Sequence, residues 1–433
     1  MVYFLKKKSF LVLFTILTVA MQITVASSLL TTEVTLKSSG LINFTHSPNI
    51  IRPLHVEGNQ IKNDLGEIVY LRGWNKGGRT YETKEFGWAT WKKYEQSKVD
   101  LSLNHMKSYG ANCIRVMYNF WSWINNYPTL TESGAIGYRE CIEDMLTRAE
   151  QRGIYVILCP YGIYPKDCPI HGWDGCPPND AGGYGFQDVM GFDPYSTSGH
   201  EGLVPDVDAF ANLIANVVEI HGYHVNLIVE VYNEPFDSYT GSYYANLWQS
   251  VWQKTINAIR QKEVEKGYVN HLILVQLIGL RYTRLDDPTS NFNWHWNNSL
   301  SDPAGNLVYS AHCYRHHGSV GYQTPITSRP YDYDTIKNIY IEEGVYNISQ
   351  LVPVVIGEIG AYIPTDNTEP PGTEYLWMQN TLKIFNEWGL GYLGWCWWDA
   401  DTGWQQIEVG SEKVTGGTVN KYGELIINAI KQG

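Results

Sequence analysis

The sequence has little charge for its length, and the charge it has is unbalanced toward the acidic side. Only 18% of the 433 residues are charged, and 32 Lys and Arg against 44 Asp and Glu leave a net charge of -12 at pH 7. A phosphate backbone is bound through a basic face, so this shortage of positive charge argues against a nucleic-acid partner. It also disfavours an acidic polysaccharide, and a neutral ligand fits better.

Long apolar runs are missing after the amino-terminal segment. There, lysines at 6–8 precede an apolar run from Phe10 to Ala26 that ends in small residues. This pattern is typical of a secretory signal and predicts an extracellular protein, although the run is also long enough for an uncleaved membrane anchor. We therefore expect a signal at 1–26, a linker rich in Ser, Thr and Asn at 27–52, and one large folded domain at 53–433.

Cysteine is scarce, and the 7 present are an odd number, so at least one is unpaired within the chain. Cys168 and Cys176 lie in a loop rich in Pro and Gly, where export would permit a disulfide between them. The other five fall in apolar segments and are expected to be buried free thiols: Cys113, Cys141, Cys159, Cys313 and Cys396.

Aromatic residues, by contrast, are abundant. They make up 14% of the chain, with 16 Trp and 31 Tyr. Such rings suit flat, apolar ligand faces, those of sugars among them, although core packing accounts for many.

Short apolar runs recur along the chain from residue 53 onward. The first follows a predicted β-hairpin whose turn contains Asn63, Asp64 and Gly66. The eight runs predicted as strands are 68–74, 112–119, 154–160, 226–235, 271–279, 307–314, 352–360 and 393–399.

Amphipathic segments separate most of these strands. Helices are predicted at 99–109, 141–152, 207–220, 247–262, 333–346, 373–388 and 424–431, with none visible between the fifth and sixth strands. Strands that are apolar on both faces and alternate with helices indicate a parallel sheet covered by helices. The predicted fold class is α/β, a (β/α)8 TIM barrel with an N-terminal β-hairpin, and a doubly wound open sheet is the alternative.

Polar side chains stand where several of the predicted strands end. Asn233 and Glu234 close the fourth strand, and Glu358 closes the seventh. In such barrels reactive groups project at the carboxyl ends of strands, and two carboxylates facing one another there suit cleavage of a glycosidic bond. A separation of about 5–5.5 Å would imply retention of anomeric configuration and about 6.5–9.5 Å inversion, a choice the sequence leaves open.

The ordered motifs resemble those of glycoside hydrolase family 5, the retaining family that includes cellulases. The resemblance extends from 55 to 430 and is carried in chain order by "YLRGWN", "ANCIRVMYN", "VYNEP", "SAHCY", "IGEIG" and "WWDADTG". One such motif alone occurs by accident, whereas six in order at strand ends are specific.

The resemblance implies a role for each matching residue. Glu234 would be the acid/base and Glu358 the nucleophile of a double displacement. The residues expected to bind substrate or orient these groups are Arg115, Asn233, His312, Tyr314, Asn75 and Trp398, with Trp397 as an alternative to Trp398 as the sugar platform.

One position departs from the pattern of the family. Relatives commonly end the third strand in a histidine, whereas this chain has Tyr161 there, after Cys159 and Pro160. We expect Tyr161, or the long loop at 164–201, to form a different substrate wall.

The resemblance implies no cofactor and no metal. A metal site built on His312 with His316 or His317 is disfavoured, because no third ligand recurs at matching spacing. The sequence therefore predicts a secreted, monomeric retaining β-glycoside hydrolase, foremost an endo-β-1,4-glucanase acting on a neutral β-linked polysaccharide.

Several alternatives stay open. A β-mannanase or another β-glycan hydrolase of the same family would use the same chemistry, because the loops that select substrate vary freely. A non-catalytic sugar-binding barrel and a metal-dependent hydrolase are more distant alternatives. Endo or exo action is left undecided.

Overall fold

The computed structural model describes residues 50–76, 94–161, 207–233, 243–277, 299–315, 331–361, 372–397, 419 and 421–433. In chain order the strands are β1 Leu54–Glu57, β2 Gln60–Asn63, β3 Arg72–Lys76, β4 Cys113–Asn119, β5 Pro128–Thr131, β6 Gly134–Gly137, β7 Tyr155–Tyr161, β8 Leu227–Glu230, β9 Ile273–Gln276, β10 Leu307–Tyr314, β11 Val354–Gly360 and β12 Gly391–Trp397. The helices are α1 Gln96–Ser108, α2 Phe120–Asn125, α3 Tyr138–Glu150, α4 Val207–His221, α5 Tyr243–Lys266, α6 Tyr333–Glu342, α7 Val345–Ser349, α8 Thr373–Glu387 and α9 Lys421–Gln432.

Eight of these strands form a closed parallel barrel. Their order is β3, β4, β7, β8, β9, β10, β11 and β12, and β12 pairs again with β3, from Tyr392 against Arg72 onward. Helices surround this barrel, so the predicted (β/α)8 fold is confirmed and the open sheet is excluded. Of the helices in the described part of the chain, none is long and apolar enough to cross a membrane.

Alternation along the strands divides the apolar side chains into two clusters. One cluster lies inside the barrel and includes Cys113, Ile157, Leu274 and Leu393. The larger cluster lies between the strands and the helices, which explains why the strands read as apolar on both faces. Successive residues of a strand point to opposite sides, so any polar residue in register with the inner cluster must face the barrel axis.

The N-terminal hairpin covers the amino-terminal end of the barrel. Leu54 and Ile61, one on each of its strands, belong to the inner apolar cluster. Val56 donates its backbone N–H to Asn306 Oδ1 at 3.0 Å, and Asn59 Nδ2 donates to the carbonyl of Ser349 at 2.9 Å. The polar residues at the strand ends lie at the opposite, carboxyl-terminal end of the barrel.

An N-terminal hairpin is present as predicted, but the turn that joins its two strands lies earlier in the chain than expected. β1 and β2 are joined through Gly58, and the predicted turn at 63–66 follows β2 instead. That second turn is real, since Asn63 Oδ1 accepts the backbone N–H of Leu65 and of Glu67 at 3.0 Å each. The segment after it forms only an isolated bridge with β2, so the first barrel strand begins at Arg72 rather than at 68.

One predicted helix is divided in two. The segment 333–346 was expected to be continuous, but α6 ends at Glu342 and α7 begins at Val345. Gly344 between them has φ 87°, a left-handed conformation that glycine adopts without the steric cost of a Cβ. Two further elements, α2 and the small antiparallel hairpin of β5 and β6, were not predicted from the sequence.

All five cysteines within the described residues are buried, as predicted. Cys168 and Cys176 lie outside the described residues, so their disulfide stays a prediction. The leader at 1–26 also lies outside the described residues.

A cluster of histidines and carboxylates joins α3 to the end of α4. Glu143 on α3 contacts His221 Nδ1 at 2.8 Å and His224 Nε2 at 2.7 Å, and it accepts a hydrogen bond from Tyr223. Burial alone would raise the pKa of Glu143, but the hydrogen bonds from His221, Tyr223 and His224 outweigh it and lower the pKa to about 2. The ionised carboxylate is therefore part of the folded state.

We predict that Glu143→Gln reduces stability at neutral pH and flattens its dependence on acid. A carboxyl whose folded pKa lies below its ordinary value of 4.5 stabilises the protein above that value and loses the contribution as the pH falls toward about 2. Thermal unfolding at a series of pH values should show the variant lower by roughly 2–4 °C at pH 7, with the gap closing in acid. Glu424→Gln, on an exposed position of α9, is the control, and an equal loss at all pH values would contradict the prediction.

Candidate active site

The polar strand ends meet at the carboxyl-terminal mouth of the barrel. Parallel strands end on the same side, so residues from different strands converge there although they are remote in the chain. The described side chains of this site are Asn75 on β3, Arg115 on β4, Asn233 just after β8, His312 and Tyr314 on β10, and Glu358 on β11. Arg115 is 0% exposed and Glu358 is 4% exposed, so their charges interact with little screening by water.

Arg115 is the centre of the site. Its Nη1 donates to Glu358 Oε1 at 2.8 Å and to Asn75 Oδ1 at 2.9 Å, and its Nη2 donates to Asn233 Oδ1 at 2.7 Å. Burial disfavours the guanidinium charge, but the carboxylates of Glu230 and Glu358 favour it, and the pKa of Arg115 is raised well above its ordinary value. The cation is therefore permanent and links four strands.

Glu230 is the second carboxylate that contacts Arg115, and it was not among the site residues predicted from the sequence. Arg115 Nε donates to Glu230 Oε2 at 2.5 Å, and Nη2 donates to Glu230 Oε1 at 3.2 Å. A signal was present, because Glu230 follows Ile228 of the inner apolar cluster by two residues and must face the barrel axis. A charge at such a position requires a buried partner.

Cys159 is buried as predicted, but it has a polar neighbour as well. Its Sγ lies 3.1 Å from Arg115 Nη2. Burial is the main cause that raises the pKa of the Cys159 thiol well above its ordinary value. The group beside the guanidinium is therefore a neutral thiol.

Glu358 is held from its other side by β10. Tyr314 donates its hydroxyl to Glu358 Oε2 at 2.5 Å, and His312 Nδ1 lies 3.5 Å from the same oxygen. Burial lowers the pKa of His312 to about 4, against the opposing effect of the Glu358 charge. The imidazole is therefore neutral at pH 7, and the Tyr314 hydroxyl donates a hydrogen bond to this oxygen.

Two glycines of β11 allow this close approach. A Cβ at Gly360 would lie 2.3 Å from Tyr314 Cε1, and a Cβ at Gly357 would lie 2.6 Å from Ser310 Oγ and 3.1 Å from His312 Nε2. Both distances are too short for a side chain. The glycines on either side of Glu358 in "IGEIG" are therefore needed for β10 side chains to reach the carboxylate.

Asn75 is an orienting residue by its contacts. Its Nδ2 donates to the carbonyl of Gly357 at 2.8 Å and to that of Leu393 at 3.3 Å, while its Oδ1 accepts from Arg115. Its amide thus ties β3 to β11, the strand that carries Glu358, and to β12. Asn233 uses only its oxygen on Arg115, which leaves its Nδ2 directed elsewhere.

The tryptophans of β12 differ from the expectation. Trp397 is 3% exposed and packs edge-on against Trp74, with ring centroids 5.6 Å apart, in the outer core. The prediction of Trp397 as an alternative sugar platform was therefore wrong. Trp395 is half-buried and follows Leu393 of the inner cluster by two residues. The pairing of β12 with β3 shifts register between Gly394 and Trp397. Strict alternation would place Leu393 and Trp397 on one strand face, but Leu393 lies in the inner cluster and Trp397 in the outer core, so the alternation is broken between them.

Three predicted site residues lie outside the described part. These are Glu234, Trp398 and the side chain of Tyr161, whose backbone ends β7. The separation of the two predicted catalytic carboxylates, which the sequence leaves open, is therefore not tested by the described residues. Within the described residues no group of His, Cys, Asp and Glu could hold a metal ion, and His316 and His317 lie outside that set.

Comparisons with known proteins bear on the family and the fold of the chain. The sequence model described as Cellulase (glycosyl hydrolase family 5) matches residues 75–401. Among curated proteins no match was found.

Solved structures match over most of the chain. A β-glucanase from Saccharophagus degradans is 15% identical with a TM-score of 0.56, and the match covers 88% of this chain and 94% of that chain. An endoglucanase from Pseudomonas stutzeri is 19% identical with a TM-score of 0.52, covering 85% and 96%. A β-mannanase from Thermomonospora fusca is 16% identical with a TM-score of 0.52, covering 87% and 95%. At these identities the structures show a shared fold, the TIM barrel.

We predict that Arg115→Met destabilises the fold strongly. It would leave Glu230 and Glu358 buried without their shared cation, and breaking a buried pair in this way costs about 3–5 kcal/mol. Denaturant unfolding at pH 7 measures the loss. Arg115→Lys keeps the charge and should lose less, and a loss below about 1 kcal/mol for Arg115→Met would contradict the role assigned to the cation.

Proposed function

The chain belongs to glycosyl hydrolase family 5 and is a β-glycan hydrolase of that family, and from this premise we propose that it is a retaining endo-β-1,4-glucanase. The observation that carries the proposal is the placement of Glu358. Its two oxygens accept from Arg115 and from Tyr314 at the mouth of the barrel.

Glu358 is the proposed nucleophile. Donors on both oxygens stabilise its negative charge and fix the direction of its lone pairs. It would attack the anomeric carbon, form a covalent glycosyl enzyme and be released when water attacks the same carbon from the opposite face. Tyr314 and Arg115 would hold the carboxylate through both steps.

Glu234 is the proposed acid/base. It would first give its proton to the oxygen of the leaving sugar and then take a proton from the attacking water. Its neighbour Asn233 is anchored by Arg115 through Oδ1, so its Nδ2 is available to donate to the 2-hydroxyl of the sugar. That bond would strengthen as the ring flattens toward the transition state.

The remaining residues would bind or position the sugar. His312, neutral at pH 7, would bond the substrate or position the acid/base, and Trp398 and Tyr161 keep their proposed contacts with the chain of sugars. Trp395 replaces Trp397 as the second candidate for the platform, because it is half-buried at the end of β12. No cofactor is required by this mechanism.

The substrate within the family is the finer part of the proposal. One solved structure of the Saccharophagus degradans β-glucanase holds cellotetraose, and one of the Thermomonospora fusca β-mannanase is a mannotriose complex. The family model named for cellulases and the low positive charge of this chain support a neutral β-glucan. β-Mannan is the second candidate, since mannanases share the fold. We further propose export through the segment 1–26, with the enzyme acting outside the cell as a monomer.

We predict that Glu358→Gln lowers kcat on a soluble β-glucan by about 10,000-fold or more, because the amide cannot form the glycosyl enzyme. Circular dichroism should show the native fold, and Glu424→Gln should retain full activity. A Glu358→Gln enzyme with more than a tenth of wild-type turnover would refute the assignment.

The wild-type enzyme should be assayed on β-glucan, β-mannan and xylan, with NMR of the first anomer released. The proposal expects the β-glucan to be cut fastest, with its β configuration retained. Faster hydrolysis of β-mannan would indicate a β-mannanase of the same family. Saturable glycan binding without hydrolysis would favour a sugar-binding protein. Loss of activity on chelation would favour a metal-dependent hydrolase.

We predict that Gly360→Ala lowers kcat/KM by about tenfold, because the new Cβ displaces the Tyr314 ring from Glu358. Tyr314→Phe removes the same hydrogen bond, so adding Gly360→Ala to it should cost much less than Gly360→Ala alone. Initial rates of the four proteins measure this coupling. Equal losses in both backgrounds would contradict the explanation.

A further inference from the structure

Glu230 lies inside the barrel, behind the reacting groups. It is 0% exposed and ends β8 three residues before Asn233. Both of its oxygens accept from Arg115, through Nε at 2.5 Å and Nη2 at 3.2 Å. Nothing in the mechanism above uses this carboxylate, yet it is charged and wholly removed from water.

The contacts divide the guanidinium into two working edges. The edge formed by Nε and Nη2 is engaged by Glu230, and the remaining nitrogen, Nη1, is directed at Glu358 Oε1. A guanidinium is planar, so a two-point contact on one edge fixes the orientation of the opposite nitrogen. Glu230 thereby fixes the direction in which Arg115 presents its charge to Glu358.

We propose that Glu230 is a positioning residue for the reaction, holding Arg115 in plane and tuning the ionisation of Glu358 through that shared cation. The inference rests on the proposed function, in which Glu358 is the nucleophile. Glu230 touches neither substrate nor reacting atoms. It acts in two ways, by orienting the cation and by placing a second negative charge on it.

Glu230 is a full negative charge among the described groups around Arg115. Charged or titratable side chains reach the two carboxylates from β4, β7 and β10, namely Arg115, Cys159, His312 and Tyr314. Burial keeps the Cys159 thiol neutral and lowers the pKa of His312 to about 4, so both are neutral at pH 7. Among these described groups, Arg115 and Glu230 carry the full charges that act on Glu358.

The sign of the effect follows from like charge. A nearby negative charge favours protonation of Glu358, so removing it should make the nucleophile ionise at lower pH. The acid limb of kcat/KM reports the ionisation of the nucleophile in the free enzyme, whereas the basic limb reports the acid/base Glu234. Glu230→Gln keeps the shape and removes the charge.

The experiment compares pH profiles of wild type, Glu230→Gln and Glu230→Asp on a soluble β-glucan. For Glu230→Gln we expect the acid limb of the kcat/KM profile to move to lower pH by about one unit. We also expect kcat/KM at pH 7 to fall on the order of 10- to 100-fold, because Arg115 is no longer oriented. Glu230→Asp retains the charge, so its acid limb should stay close to that of wild type while its rate falls. A purely structural role would lower the rate or the unfolding temperature without moving the limb.

The outcomes separate this inference from the proposed function. A wild-type enzyme without hydrolysis on any β-glycan overturns the proposed function, whereas an active wild type with an unmoved limb in Glu230→Gln overturns the positioning role. If Glu230→Gln does not fold, Glu230→Asp decides: we expect kcat to fall at least about fivefold with KM within about twofold, because the lost orientation acts in the transition state. An unchanged kcat in Glu230→Asp overturns the inference.

Discussion

The site depends on one buried cation shared by two buried carboxylates. Arg115 binds Glu230 on one edge and Glu358 on the other, and all three side chains are almost fully withdrawn from water. Burying such charges is costly unless each is paired and hydrogen-bonded. The amide oxygens of Asn75 and Asn233 accept further hydrogen bonds from Arg115, and the Tyr314 hydroxyl donates to Oε2 of Glu358. Barrel closure makes this arrangement available, because it brings β3, β4, β8, β10 and β11 to one axis.

Much of the fold could be predicted because barrel strands are buried on both faces. Continuous apolar runs between amphipathic segments are specific to that environment, and each of the eight predicted runs overlaps a strand of the barrel. Strand ends were less predictable, since apolar residues continue past the pairing: β8 ends at Glu230 although the run extends to 235. The break between α6 and α7 had a signal in Gly344. The β5 and β6 hairpin had none, because its strands are short and half-exposed.

The site could be predicted where its residues lie at the carboxyl ends of strands, because reactive groups of such barrels project there. Arg115, Tyr314 and Glu358 come together as that rule implies. Glu230 escaped notice because it lies within an apolar run, where a single acidic residue resembles an interruption of the pattern rather than part of a site. Trp397 failed for a related reason, since strict alternation does not survive the register shift in β12. Both cases concern how side chains pair across strands, which one sequence does not display.

The central claim, that Glu358 is the nucleophile held by Arg115 and Tyr314, is tested most directly by trapping the covalent intermediate. A 2-deoxy-2-fluoro-β-cellobioside with a good leaving group should inactivate the enzyme, because the fluorine slows release of the glycosyl group more than its formation. Mass spectrometry of the digested protein should then find one fluorocellobiosyl group per chain, on Glu358. A label on another carboxylate, or hydrolysis with inverted configuration and no label, would contradict the account.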